Sequence, residues 1–121
     1  MYTVHHDATL LPTDLTCADY GTGDSKVPGL SVSASRDKAG AIHVSLCNLN
    51  PNAPAEVTCD LRGAKPTSVS GRVLTAEAMQ AHNTFDKPET VKPAAFSDCK
   101  LTEGGFTTKL PAKSVVVLEL R

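Results

Sequence analysis

The segment from residue 81 to residue 93 constrains the fold most strongly, because two prolines lie five residues apart within it. Each proline fixes φ at about −65° and removes a backbone donor, so the segment can continue neither a helix nor a central strand. The surrounding polar residues favour local side-chain-to-backbone bonds, and Phe85 supplies one apolar anchor. We therefore predict an ordered, mostly extended strap over residues 81–93. Its candidate residues are His82, Asn83, Thr84, Phe85, Pro88, Val91 and Pro93.

Alternating apolar and polar residues predict strands along most of the remaining chain. The predicted strands span residues 30–36, 41–49, 55–61, 67–74, 95–101, 105–110 and 113–120. The first two form a hairpin, the third continues it as a meander, and the apolar run of the last predicts a central strand covered on both faces. Short strands at such spacing indicate an all-β, antiparallel sandwich with jelly-roll-like topology.

Two local features modify this strand pattern. Gly71 suggests a bulge in the fourth predicted strand, because an interior glycine often marks an extra residue in a ladder. Thr75 is placed to cap a short helix over residues 76–81, which is the one helical segment that we expect.

The length of 121 residues suits one domain spanning residues 1–121. Residues 30–121 form the predicted sandwich body, whereas residues 1–29 show no clean period and begin either as a strand or as the end of a helix. No apolar run approaches the about 20 residues needed to cross a bilayer, and the first residues lack the basic-then-apolar form of a signal peptide. A periplasmic or secreted location would require an export signal upstream of Met1, so localisation stays open.

Charge and aromatic content narrow the classes of partner. The 12 lysines and arginines nearly balance the 13 aspartates and glutamates, giving a net charge of −1. This balance offers no basic surface for nucleic acid or an anionic membrane, so we expect neither as a partner. Aromatic residues make up 4% of the chain and include no tryptophan, which argues against an autonomous carbohydrate-binding module, because such modules stack sugars on exposed rings.

The reactive side chains show no catalytic or metal-binding spacing, so we predict no catalytic residue, cofactor or metal ion. The four cysteines, without CxxC pairs, are Cys17, Cys47, Cys59 and Cys99. Their even number permits disulfides, and strand parity argues only against the pair Cys47–Cys59, whose side chains it turns to different faces. We favour free thiols, because cysteine packs as a small hydrophobe, but the pairing and the redox compartment stay open. His5 and His6 are adjacent and point apart on an extended chain, which disfavours chelation. His43 falls on the polar face of its strand, where we expect it to be solvated.

Four segments carry motifs that occur together in one enzyme family. They are residues 1–12 (MYTVHHDATLLP), 33–37 with 42–50 (SASRD and IHVSLCNLN), 81–93 (AHNTFDKPETVKP) and 110–118 (LPAKSVVVL). In this order they resemble the C-terminal region of the α-L-arabinofuranosidases of glycoside hydrolase family 51. The matches span nearly the whole chain, and their order makes the resemblance specific.

The resemblance implies a complete enzyme whose (β/α)₈ barrel carries two catalytic glutamates and removes terminal arabinofuranosyl groups from arabinan or arabinoxylan. None of the five glutamates here lies in a barrel-strand context, so no catalytic residue is carried over. The implied role is a noncatalytic C-terminal domain whose partner is the barrel of the same protein, with residues 1–29 as the junction. The resemblance also allows a homo-oligomer of the enzyme and completion of the sheet by an N-terminal segment of the parent. The alternatives are an autonomous carbohydrate-binding module and a protein-interaction sandwich.

Two interpretations of the strap remain open. In the structural one, Asn83 adopts a left-handed conformation after the short helix and Phe85 fills the core. In the functional one, the strap contacts the catalytic barrel, where it fixes domain orientation or shapes the rim of the sugar pocket. We favour the structural interpretation, because polar residues beside prolines commonly serve turns.

Overall fold

The computed structural model describes all 121 residues. Its regular secondary structure consists of eleven β-strands and one turn of 3₁₀ helix at Tyr2–His5. The strands are β1 (Thr9–Leu11), β2 (Asp19–Thr22), β3 (Ser25–Pro28), β4 (Leu30–Arg36), β5 (Ile42–Asn48), β6 (Ala55–Asp60), β7 (Val69–Leu74), β8 (Ala94–Phe96), β9 (Cys99–Thr102), β10 (Gly105–Leu110) and β11 (Ser114–Leu120). No helix has the length and apolar character needed to span a lipid bilayer.

Two antiparallel sheets pack face to face. The large sheet has six strands in the order β1-β4-β5-β11-β7-β8, and the small sheet has three in the order β6-β10-β9. Strands β2 and β3 form a separate hairpin. The predicted all-β sandwich is therefore confirmed.

The core lies between the central strands of the two sheets. Phe106 and Leu110 of β10 are fully buried, and they meet apolar side chains of β5 and β11 from the large sheet. Strand β11 lies between β5 and β7, and its apolar run is buried apart from half-exposed Val115. The prediction of a central last strand is confirmed.

The predicted hairpin is confirmed, but the meander is wrong. Strands β4 and β5 pair in register from Leu30 opposite Asn48 to Arg36 opposite Ile42. The next strand, β6, pairs with β10 in the small sheet instead of with β5. The turn after β5 carries the chain from the large sheet to the small sheet. The Asn48 side-chain amide stabilises this turn by donating to the carbonyls of Ala53 and Pro111 at 2.9 Å each.

The predicted helix over residues 76–81 does not form. The Thr75 hydroxyl donates to the carbonyl oxygens of Ala112 and Lys113 at 3.2 and 3.3 Å, so it caps no helix. One backbone bond within this stretch, from Ala81 N–H to the Ala78 carbonyl at 3.2 Å, closes a single turn. Six residues without a cap are too few to offset helix nucleation. The helical segment of the chain lies instead at Tyr2–His5.

Strand β7 contains no bulge, because its pairing with β11 runs without interruption from Val69 to Leu74. Gly71 lies opposite Phe96, and a Cβ at this position would come within 2.9 Å of Leu118 Cδ2 and 3.1 Å of Phe96 Cδ1. The glycine therefore permits close packing of its neighbours rather than an extra residue.

The small sheet covers only part of the large one. Strand β9 lies against β7, so the unpaired edge of β6 points toward β4 and β1. Leu30 and Val32 on the core side of β4 are half-buried, whereas Val44 and Leu46 of the neighbouring β5 are fully buried. One side of the sandwich thus combines a free strand edge with a partly uncovered apolar face.

Candidate functional site

The strap connects β7 to β8 at one end of the sandwich, where β4 begins and β5 ends. Leu74, the last residue of β7, lies opposite Val115 near the start of β11. The Thr75 hydroxyl then ties the outgoing chain to the segment before β11. The base of the strap is thus anchored to the centre of the large sheet.

The Asn83 side chain joins the two arms of the strap through two hydrogen bonds to the backbone of Val91, in the pattern that paired strands use. Its side-chain amide donates to the Val91 carbonyl at 2.9 Å, and its side-chain oxygen accepts from the Val91 N–H at 2.7 Å. The predicted left-handed conformation of Asn83 is wrong, since Asp7 and Lys113 are the non-glycine residues with positive φ. There is no helix end for Asn83 to terminate, and its amide instead joins the two arms of the strap.

Smaller contacts order the tip of the strap. Thr84 and Lys87 exchange backbone bonds of 3.1 and 3.2 Å, and the Thr84 hydroxyl also accepts from Lys87 N–H at 3.1 Å. The Thr90 hydroxyl donates to the Lys87 carbonyl at 3.2 Å. The strap is therefore a hydrogen-bonded loop whose shape comes from its own side chains.

Phe85 lies at the tip of this loop and is fully exposed, at 107% of its reference area. The expectation that Phe85 fills the core is wrong, because the Thr84–Lys87 turn holds residue 85 away from both sheets. Among the seven strap candidates only Val91 is half-buried. The exposed ones are His82, Asn83, Thr84, Phe85, Pro88 and Pro93.

Other exposed apolar side chains belong to the same end of the sandwich. Met79 precedes the strap, Val27 lies in β3 just before β4, and Leu49 directly follows β5. Their exposed fractions are 69%, 48% and 41%. We call this surface, defined by Val27, Leu49, Met79 and Phe85, the docking end. Exposed apolar side chains at one end of a domain make that end a candidate interaction surface.

A second cluster joins the turn at Tyr2–His5, here the N-terminal turn, to the outer face of the large sheet. His5 Nδ1 lies 2.6 Å from Ser35 Oγ and Nε2 lies 2.6 Å from Ser45 Oγ. The Tyr2 hydroxyl lies 3.3 Å from Cys47 Sγ, and this hydrogen bond is the main reason that the pKa of Tyr2 rises to about 12. His5 therefore serves as a packing and hydrogen-bonding group.

His43 lies beside this turn and is 4% exposed, so the expectation of a solvated side chain is wrong. Its Nε2 lies 3.0 Å from Asp37 Oδ2, and its Nδ1 lies 4.0 Å from Glu119 Oε2. The hydrogen bond from His43 is the largest cause that lowers the pKa of Asp37. The alternation of side chains along β5 places His43 on the outer face of the large sheet. The N-terminal turn shields part of that face from solvent.

All four cysteines are free in the structure. Cys47 contacts Tyr2 on the outer face, whereas Cys59 packs against the core. Cys59 and Cys99 lie on β6 and β9, which flank β10, and burial is the main cause that raises the pKa of both thiols.

Comparison with known proteins identifies relatives along the whole chain. A family model described as "Alpha-L-arabinofuranosidase C-terminal domain" matches residues 1–114. An intracellular exo-α-L-arabinofuranosidase of Bacteroides ovatus is 45% identical over 122 residues, covering 100% of this chain and 24% of the relative.

Solved structures agree with these sequence matches. A GH51 arabinofuranosidase of Xanthomonas axonopodis pv. citri superposes with a TM-score of 0.91 at 36% identity, over 95% of this chain and 23% of that one. A family 51 α-L-arabinofuranosidase of Bifidobacterium longum superposes with a TM-score of 0.76 at 25% identity, over 88% and 21%. This chain thus spans about a quarter of the length of the relatives that it matches. The match over residues 1–114 and the shared sandwich show that the chain belongs to the family of α-L-arabinofuranosidase C-terminal domains.

Proposed function

We propose that this chain is the noncatalytic β-sandwich of an α-L-arabinofuranosidase and that its docking end packs against the catalytic barrel of the same protein. The observation that carries the proposal is the fully exposed Phe85 at the tip of a hydrogen-bonded strap. Residues 1–29 then form the junction with the barrel, and contacts between copies of the enzyme would use other surfaces.

The strand arrangement supports a noncatalytic role. Catalytic glutamates of a (β/α)₈ enzyme project from the ends of parallel barrel strands. Every strand pair in this chain is antiparallel, and its two sheets close on an apolar core. The hydrolysis of terminal arabinofuranosyl groups in arabinan or arabinoxylan is therefore assigned to the barrel.

The strap is well suited to dock because its shape exists before any partner binds. Asn83 and Thr84 already fix the loop, so little conformational entropy would be lost when Phe85 is covered. Full burial of a phenylalanine side chain contributes about 1.5–3 kcal/mol. An apolar pocket on the barrel would fit this ring.

A second contact is proposed at the free edge of the small sheet. Strand β6 has unpaired backbone groups on one side, and Leu30 and Val32 on the core side of β4 are only half-buried. An added strand would satisfy the backbone groups and cover the apolar side chains at once. We infer that a segment from the N-terminal part of the parent enzyme pairs with β6.

The proposal is tested by replacing Phe85 with serine in the complete enzyme and in this chain alone. In this chain alone the change should alter the free energy of unfolding by less than about 0.5 kcal/mol, since Phe85 is fully exposed. In the complete enzyme it should weaken coupling between the domains by about 1.5–3 kcal/mol. Calorimetric unfolding would show this as a lower first transition or as two separated transitions.

Lys100→Ser provides the control, because Lys100 is exposed on β9, outside both the docking end and the junction of residues 1–29. This variant should leave the coupling between the domains unchanged. Equal effects of the two substitutions in the complete enzyme would contradict the proposed contact.

Phe85 also favours a second candidate, an autonomous carbohydrate-binding module, since sugar rings stack on exposed aromatic faces. We expect titration calorimetry of this chain with arabinan and arabinoxylan oligosaccharides to give no measurable binding heat, because Phe85 is the one fully exposed ring. A saturable heat that disappears in a Phe85→Ala variant would favour the module instead.

A further inference from the structure

We propose that His5 is an acid-sensitive latch, which holds the N-terminal turn on the large sheet near neutral pH and loosens it as the pH falls. The latch consists of His5 and the two serines that it joins, Ser35 of β4 and Ser45 of β5. The inference concerns contacts within this chain and does not depend on the contact proposed for Phe85.

Few other contacts hold the N-terminal turn in place. None of its four residues is fully buried, and a cavity of about 160 Å³ lies between Met1, Thr3, Val4 and the sheet. The nearby backbone bonds, His6 N–H to the Thr3 carbonyl and Ala8 N–H to the His5 carbonyl, are internal to the segment. The side chains of His5 and Tyr2 therefore supply its polar contacts with the sheet.

The neutral imidazole of His5 matches its two partners. One ring nitrogen carries a proton and donates to one serine hydroxyl, while the other nitrogen accepts from the second hydroxyl. Both distances are 2.6 Å, so each nitrogen is used. Ser35 and Ser45 are 4% and 2% exposed, so two buried residues would lose their hydrogen-bond partner if the turn moved away.

Protonation places a charge where the surroundings oppose it. Burial lowers the pKa of His5 below its ordinary value, and the nearby charge of His43 lowers it further. The carboxylates of Asp37 and Glu119 face His43 rather than His5, so neither offers protonated His5 a direct partner. On the other side of His5 the Tyr2 ring, 6.0 Å away between centroids, presents a phenol that stays neutral at these pH values.

The sign of the pH dependence follows from this lowered pKa. Because docked His5 binds a proton less readily than released His5, docking is strongest above the ordinary histidine pKa of about 6.5. It weakens as the pH falls from that value through the pKa of docked His5. Each unit by which docking lowers the pKa reduces the docking constant by about tenfold.

The test is an NMR titration of this chain from about pH 8 to about pH 5, the range in which histidine changes charge. The His5 ring signal should titrate below the ordinary value. Exchange protection of the His6 and Ala8 amides, corrected for the intrinsic rate at each pH, should fall with the same midpoint. Protection in β10 and β11 should stay constant over this range. A His5 midpoint at or above the ordinary value, or protection that does not follow it, would overturn the proposal.

Two substitutions separate the latch from general acid effects. His5→Gln keeps one donor and one acceptor but cannot titrate, so the protection of His6 and Ala8 should no longer depend on pH. His6→Gln alters the exposed neighbouring histidine and should retain the wild-type response. If His5→Gln lost protection on acidification as the wild type does, another group would be responsible. If that variant were unprotected at every pH, the wild-type titration would be the test. Equal midpoints for the His5 ring and for the protection of the His6 and Ala8 amides would support the proposal, and different midpoints would contradict it.

Discussion

Replacing Phe106 with alanine is expected to lower the free energy of unfolding by about 3–5 kcal/mol. Phe106 is fully buried in β10 and contacts the core from the small sheet, so its removal leaves a cavity that strands on both sides cannot easily close. Small domains are stable by about 5–15 kcal/mol, and the variant would therefore lose a large share of its stability. Urea denaturation measured by circular dichroism would give the difference.

Phe85→Ala is the matched control for this experiment. It removes the same atoms from a fully exposed position, so its stability should lie within about 0.5 kcal/mol of the wild type. Comparable losses in the two variants would show that the core has been assigned to the wrong aromatic residue.

Gly105→Ala is expected to destabilise the fold by about 3 kcal/mol, at the upper end of the range for overpacking. Gly105 begins β10 opposite Asp60, and an added Cβ would overlap the carbonyl oxygen of Cys59 and lie 2.9 Å from its carbonyl carbon. Backbone atoms of a paired strand cannot rotate away as a side chain can. Thermal unfolding of the variant would measure the loss.

Gly104→Ala controls for the effect of alanine in this turn. A Cβ at Gly104 would meet only the Asp60 side chain at 3.7 Å, which is ordinary contact, so its stability should be nearly unchanged. A Gly105→Ala protein as stable as Gly104→Ala would contradict the close approach of β6 and β10.

Most strands from residue 30 onward were predictable from sequence because their signal is local, but the predicted strand 95–101 is divided into β8 and β9, which lie in different sheets. Residues 30–36 alternate between a wet face and an apolar face, and β4 occupies those residues. The pairing of strands is not local. Strand β6 has the same alternation whether it continues the hairpin or crosses to the small sheet, and its partner β10 begins more than forty residues later. A pattern read along the chain therefore could not distinguish the two arrangements.

In the candidate site, too, features set by neighbouring residues were predictable, whereas contacts between distant segments were not. Prolines act on their own backbone and the residue before, so the irregular strap could be predicted from Pro88 and Pro93. The direction of Phe85 depends on how a turn is set against two distant sheets, and the prediction that it enters the core was wrong. Likewise, His43 is shielded by the N-terminal turn, which lies far earlier in the sequence and which the pattern of its own strand does not reveal.

The central place of β11 has a consequence for how the domain is made. Every other strand of both sheets precedes β11 in the chain, yet β5 and β7 meet only through it. During synthesis on the ribosome the two halves of the large sheet must therefore wait as separate, unjoined pieces until residues 114–120 emerge. Their apolar faces stay open to chaperones or to misassociation during this interval, and the sheet closes in one late step.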